Sequence, residues 1–259
     1  MSYFKKIYPL FKEIRKHLLP HWGRAAIIKQ KDGSAVNVVT ALDIQIETVA
    51  ERWLAKRYPG VPFVGEEHGG NRRADRFWLM DPIDGTQHFV RGLPFCTSML
   101  ALIENGQVVF SAIYDFIHND IYWAEQGQGA FCGTKRLKVS HRSLKEAYIG
   151  WEIKLNNKAN QIIFDKLRRQ AVLIKTISAG WEFAMIACGK LDARVCFDPH
   201  GKDYDYAPGA LLVSEAGGVV ANVGRKSYDY RNTDFIAANP VIYKELTGGK
   251  KAIFPVLKR

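Results

Sequence analysis

The sequence has 259 residues, 47% of them hydrophobic and 24% charged, enough apolar side chains for a sizeable core in one or two domains and without the bias of collagenous, low-complexity or disordered chains. Lysine and arginine number 37 against 26 aspartates and glutamates, a net charge of +11 that points to an anionic partner: nucleic acid, a membrane surface or a phosphorylated small molecule. No run approaches the ~20 apolar residues of a membrane span, the N-terminus lacks a signal-peptide core, and Cys96, Cys132, Cys188 and Cys196 stand singly without CxxC spacing, so a reduced, soluble, cytoplasmic protein is expected.

Along the chain, 3–21 spaces Phe4, Ile7, Phe11, Ile14 and Leu18 by three and four with basic residues between, which predicts a one-faced helix packed on its own core. Pro9 is expected to bend that helix or reposition its start. Thr40-Ala-Leu-Asp43 supplies capping chemistry for a second helix, which keeps its period through Ile46, Val49, Ala50, Trp53 and Leu54 and stops at Tyr58-Pro-Gly60. From 77 to 140 the pattern becomes an antiparallel meander, with strands across 97–114 joined at Asn105-Gly106, a turn at His118-Asn-Asp120, and Gly127, Gly129 and Gly133 punctuating the next pair. Beyond 145, helices are predicted near 160–170, 180–188 and 205–216, and strands near 172–177, 193–197 and 219–222. Helices interleaved with sheet imply a layered, mixed α/β (α+β) architecture. It is read as one catalytic unit in two halves, 1–145 and 146–259.

Three segments set carboxylates beside glycine at strand ends: Val64-Gly-Glu66-Glu67, Trp78-Leu-Met-Asp81-Pro-Ile-Asp84-Gly85-Thr86, and Asp203-Tyr-Asp205-Tyr-Ala-Pro-Gly209 followed by Ser214-Glu-Ala-Gly-Gly218. The middle one is the most specific. An apolar strand delivers Asp81, Pro82 fixes the turn, Asp84 follows three residues later, and Gly85 lets backbone approach a ligand. Paired carboxylates select hard divalent cations such as Mg²⁺ or Mn²⁺ over zinc. A helix beginning after Gly85 would turn amides and the Thr86 hydroxyl toward an anion such as phosphate.

These motifs, with Val39-Thr40-Ala-Leu-Asp43, Gly127-Gln-Gly-Ala-Phe131 and Gly189-Lys-Leu-Asp-Ala193, resemble in order the signatures of the inositol monophosphatase family, within the fructose-1,6-bisphosphatase-like superfamily of lithium-sensitive, metal-dependent phosphatases. The resemblance spans nearly the whole chain and implies an αβαβα sandwich, a homodimer and a cofactor of two or three Mg²⁺ ions, with Mn²⁺ as a substitute. It implies that Glu66, Asp81, the Ile83 carbonyl, Asp84 and Asp205 bind metal. It also implies that Asp43, Thr86 and Glu66 are catalytic, orienting and deprotonating a water that attacks phosphorus in line. Asp43 has the position of a helix cap as well. Implied substrate contacts are Asp84, Gly85, Thr86, Ser178, Ala179, Asp198 and Asp205. Glu67 is expected as an outer partner or a further metal contact, His88 as a structural hydrogen-bonding residue, and Lys31 either as a phosphate guide or as a solvated loop lysine.

The substrate is a small phosphomonoester on this reading, with inositol-1-phosphate foremost. The sequence departs from the family pattern at Gln87-His88-Phe89, at Tyr204, at Trp181-Glu182 and in the longer stretch 198–203. Histidinol phosphate, 3'-phosphoadenosine 5'-phosphate and sugar bisphosphates are the competing substrates. A nucleic-acid-binding or regulatory protein is the competing class, since basic residues cluster at Arg72-Arg73 with Arg76, Lys135-Arg136 with Lys138, and Lys166 with Arg168-Arg169. Those clusters are scattered and carry no RNP-like or C₂H₂ pattern, so solvated faces are the expectation.

Overall fold

The computed structural model describes residues 2–30 and 38–257. A two-stranded ribbon pairs β1 (Ile27–Gln30) with β2 (Val38–Thr40). A seven-stranded sheet runs in chain order through β3 (Phe63–Gly65), β4 (Arg76–Asp84), β5 (Thr97–Glu104), β6 (Gln107–Asp115), β7 (Asp120–Glu125), β8 (Gly129–Cys132) and β9 (Lys135–Arg136). Only its first pair, β3 with β4, is parallel; the rest is the antiparallel meander expected from the turn residues, with Asn105 and Gly106 both at positive φ between β5 and β6.

A five-stranded sheet follows, formed by β10 (Tyr148–Ile153), β11 (Val172–Lys175), β12 (Ala193–Phe197), β13 (Val219–Asn222) and β14 (Phe235–Ala238). Its spatial order is β11-β10-β12-β14-β13, with β10 parallel to both neighbours and the last two pairings antiparallel. Helices make three layers around these sheets. On the outer face of the large sheet lie α1 (Tyr3–Leu18) and α2 (Ala41–Arg57), sharing one core with Trp78, Leu100 and Tyr114. Between the sheets, α5 (Ala179–Ala187) and α6 (Asp203–Glu215) pack Phe183 and Leu212 with Ile113 on one side and Phe235 on the other. On the far face of the small sheet, α4 (Lys158–Arg168) and α7 (Pro240–Thr247) bury Leu167, Ile242 and Leu246. The short α3 (Thr86–Arg91) follows β4. The order of layers is the αβαβα sandwich that the motifs imply.

Ile7, Leu10, Phe11, Ile14 and Leu18 of α1 are fully buried. At about 1.5–3 kcal/mol per side chain, that apolar face is committed to the protein's own core. The helix runs through Pro9 from a start at Tyr3, so the proline does not reposition its beginning. Pro9 is exposed, which leaves the carbonyl freed by its missing N–H on the solvent side, where water can satisfy it. Among the described residues no helix is long and apolar enough to cross a membrane. The four cysteines are free thiols, Cys96 and Cys196 buried and Cys132 and Cys188 half-buried.

Candidate active site

The C-terminal ends of the parallel pair β3 and β4 meet the N-termini of α2, α5 and α6. The end of β4 is built to put two carboxylates on one side. In a regular strand, residues three apart point to opposite faces. Here Asp81 pairs with Met99 and Asp84 with Thr97, so three steps on β4 oppose two on β5, and the extra residue of this bulge reverses the alternation. Single carboxylate oxygens of Asp81, Asp84 and Asp205, the last from the first turn of α6, lie within 4.8 Å of one another.

Asp84 is the most heavily held. Its Oδ2 accepts from Gly180 N at 2.8 Å, Thr97 Oγ1 at 3.2 Å and Ser178 Oγ, and its Oδ1 accepts from Ala179 N at 3.1 Å. Ser178 and Ala179, expected as substrate contacts, thus direct their donors at this carboxylate. Gly180 permits the approach, since a Cβ there would collide with Thr97 Oγ1 and come within 3.1 Å of Asp84 Oδ2. Burial nevertheless raises the Asp84 carboxyl above its ordinary value against the pull of those donors.

Asp205 Oδ2 accepts from Lys202 N at 2.6 Å. Asp81 is 2% exposed, and its Oδ1 is buried and accepts no hydrogen bond from the described residues. Burial first, and then the negative charge of half-buried Glu66, pushes both Asp81 and Asp205 well up. A buried carboxylate oxygen without a donor, inside a group of like charges, calls for a cation rather than for more hydrogen bonds. The donor set is oxygen throughout and suits a hard divalent ion.

Asp43 sits beside this group at the start of α2. Its Oδ2 accepts from Thr40 N and Thr40 Oγ1, each at 2.7 Å, closing the cap of the helix, while its Oδ1 accepts from Thr86 Oγ1 at 3.2 Å. Thr86 Oγ1 also lies 2.8 Å from the Ile83 carbonyl. Burial raises the Asp43 carboxyl to about 6, opposed by the bonds from Thr40 and Thr86 and aided by the charge of Glu67. Gly85 stands between Asp84 and Thr86 at φ +80°, where a Cβ would lie 2.5 Å from the Phe95 carbonyl, so both the turn and the packing require glycine.

The sequence pattern of the inositol monophosphatase family matches residues 3–252, nearly the whole chain. The chain belongs to that family. As an inositol monophosphatase family protein it is a phosphatase acting on phosphoric monoesters. It is 30% identical over 238 residues to the Thermotoga maritima fructose-1,6-bisphosphatase/inositol-1-monophosphatase, covering 92% of this chain and 91% of that one. It is also 32% identical over 213 residues to the Nus factor SuhB of Xylella fastidiosa, covering 79% and 76%. Among solved structures, the Thermotoga maritima IMPase matches with a TM-score of 0.84 and 28% identity over 95% of each chain.

The Asp198 carboxylate faces Lys154 Nζ at 3.4 Å and Asn160 Nδ2 at 3.2 Å, and its backbone takes φ +47°. His88 places Nε2 2.9 Å from the Ile177 carbonyl. Lys31 lies outside the described residues. Glu182 does more than begin a helix; it is fully buried against Arg194. Sequence reasoning overlooked Glu47, a buried α2 residue that accepts from Glu67 N and His68 N at 2.8 Å each and so ties the Glu66 segment to the helix. Its position four residues after Asp43, on the helix's apolar side beside Ile46 and Ala50, was the available signal.

Proposed function

We propose that the protein hydrolyses a small phosphorylated polyol, inositol-1-phosphate foremost, in a reaction that needs a divalent cation. The observation that carries this reading is the convergence of Asp81, Asp84 and Asp205, with Asp81 Oδ1 buried and accepting no hydrogen bond from the described residues, next to the Asp43–Thr86 pair. Asp81, Asp84, Asp205, Glu66 and the Ile83 carbonyl would hold Mg²⁺. Bound there, the cation would offset the carboxylate charge, attract the phosphate dianion and make a water more acidic.

The chain's own residues do the rest. Asp43 Oδ1 is the proton acceptor: Thr86 Oγ1 passes its proton to Asp43 while accepting one from the attacking water, and the Thr40 bonds fix the carboxylate for that transfer. Ser178, Ala179 and Gly180 hold Asp84 in place, and Lys202 N holds Asp205. The relatives' names support the phosphatase class and leave the choice of ester open, since they span inositol-1-monophosphatase, fructose-1,6-bisphosphatase and Nus factor. The test is phosphate release from inositol-1-phosphate, histidinol phosphate, 3'-phosphoadenosine 5'-phosphate and fructose-1,6-bisphosphate, with and without Mg²⁺. Preference for the first, abolished by EDTA and by Asp84→Asn, is the expected result. Release that persists undiminished in EDTA would refute the cation reading, and preference for another ester would reassign the substrate.

A further inference from the structure

Arg194 is the second residue of β12 and is 1% exposed among apolar strand neighbours. Its Nη1 donates to Thr176 Oγ1 at 2.8 Å and to Glu182 Oε2, its Nη2 to Glu152 Oε2 at 2.6 Å, and its plane lies near the rings of Phe183 and Tyr206, 5.6 Å from each centroid. Each carboxylate also holds backbone. Glu182 Oε1 accepts from Ile177 N at 2.7 Å. Glu152 Oε1 accepts from His200 N at 2.9 Å and Gly201 N at 3.0 Å, while its Oε2 takes the Tyr206 hydroxyl at 2.9 Å.

The two tethered segments are the ones that build the acidic centre. Residues 176–177 run directly into Ser178, Ala179 and Gly180, the donors on Asp84. Residues 200–201 run directly into Lys202, whose amide holds Asp205, and into Asp205 itself. One guanidinium therefore joins, through one carboxylate each, the segment that sets Asp84 and the segment that sets Asp205. Stability alone is a poor reason for the arrangement, because well-packed apolar side chains of similar volume usually serve a core as well as a buried ion network. Geometry is the better reason: a planar fork with fixed donor directions holds several acceptors at set angles, which an ammonium cannot do.

We propose that Arg194, acting through Glu182 and Glu152, is a positioning residue that fixes Asp84 relative to Asp205 and thereby sets the affinity of the acidic centre for a divalent cation. The proposal rests on the reading of that centre as a cation site. Partners that orient metal ligands are typically worth about 10–100-fold in metal affinity or activity.

The test uses full-length wild type, Arg194→Lys and Glu152→Gln. Mn²⁺ binding is followed by the electron paramagnetic resonance of the free ion, unfolding of the metal-free proteins by calorimetry, and phosphate release as a function of Mg²⁺. The lysine keeps the charge without the fork, and the glutamine keeps an acceptor for residues 200–201 without the charge. Both variants are expected to bind Mn²⁺ at least about tenfold more weakly, with the half-saturating Mg²⁺ rising in parallel and KM at saturating Mg²⁺ changing much less. A variant that unfolds at a lower temperature but keeps wild-type Mn²⁺ affinity would show a mere core brace and overturn the proposal. Should Arg194→Lys fail to fold, Glu152→Gln decides on the same readings. Absence of Mn²⁺ binding by wild type would remove the cation site itself, a failure separate from wild-type binding with unaffected variants.

Discussion

One oxygen of Asp43 caps α2 through Thr40 and the other meets the Thr86 hydroxyl, so the helix cap and the proposed proton acceptor are the same side chain. Only the anion can take a proton from Thr86. With burial holding the carboxyl up at about 6, turnover is expected to fall as pH drops through that value. Asp43→Asn keeps an acceptor for Thr40 N, and it should lower kcat by about 10²–10⁴-fold while, with Mg²⁺ held saturating at each pH, abolishing the acid limb of the kcat–pH profile. An unchanged limb in the variant would assign that ionisation to another group. Asp81 makes a complementary case. Its Oδ1 is buried among like charges and has no donor among the described residues, a cost the metal-free protein carries. Asp81→Asn is therefore expected to raise the unfolding temperature of the metal-free protein by ~2–4 °C, the shift of about 1 kcal/mol in a chain of this size, while phosphate release falls by more than about a hundredfold. A lower unfolding temperature in the variant would contradict the repulsion argument.

At the level of elements, α5 shows how packing decides site geometry. Alanine is the better helix former by up to ~1 kcal/mol, yet at position 180 its Cβ would collide with Thr97 Oγ1 and sit 2.9 Å from Met99 Sδ. Gly180→Ala is expected to cost about 1–3 kcal/mol in denaturant unfolding and to raise the Mg²⁺ concentration needed for turnover, because the donors on Asp84 move with the helix. Stability at or above wild type would mean that α5 shifts without consequence.

Legibility from sequence follows the same division. The helix α2, the β5–β6 hairpin, β12 and β13 were readable because caps, turn pairs and periodicity are local. The strands β10 and β14 and the helix α7 were not: Tyr148-Ile-Gly-Trp-Glu-Ile153 interrupts its apolar run with Gly150 and Glu152, and both exist for Glu182 and Arg194, which arrive from elsewhere in the chain. Charges inside apolar segments, Glu182 in α5 and Arg194 in β12, were visible, but a buried ion network can be recognised only when both sides are seen together. Asp81 and Asp84 were legible as a pair, whereas the bulge that aligns them depends on β5.

At the scale of the whole molecule, a +11 surplus coexists with the acidic centre of Asp81, Asp84 and Asp205, and Arg72 reaches Asp203, two residues from Asp205. Several of the basic clusters pair with acids, Arg76 with Glu104 and Arg168 with Asp165 at the surface and Arg72 with half-buried Asp203, and surface pairs of this kind contribute little to stability. The pH dependence of folding therefore falls to buried carboxylates. Burial raises Asp43 to about 6 and moves Asp81, Asp84 and Asp205 in the same direction. Against burial, Arg194 leaves the Glu152 carboxyl below its ordinary value, an influence of opposite sign. A carboxyl whose folded value lies above its unfolded one near 3.9 binds more protons folded than unfolded, so its contribution is fully present below the unfolded value and is lost as pH rises through the folded one. The metal-free protein is accordingly expected to lose unfolding temperature between about pH 4 and pH 7. On the proposed reading, added Mg²⁺ would bind only the ionised centre and compete with those protons, so the stabilisation it gives should grow over the same interval, reaching about 2.7 kcal/mol wherever the free ion stands at a hundred times its dissociation constant. Calorimetry across pH with EDTA and with saturating Mg²⁺ measures both curves. Parallel curves, with a constant gap from pH 4 to pH 7, would place the ion's binding outside the carboxylate cluster.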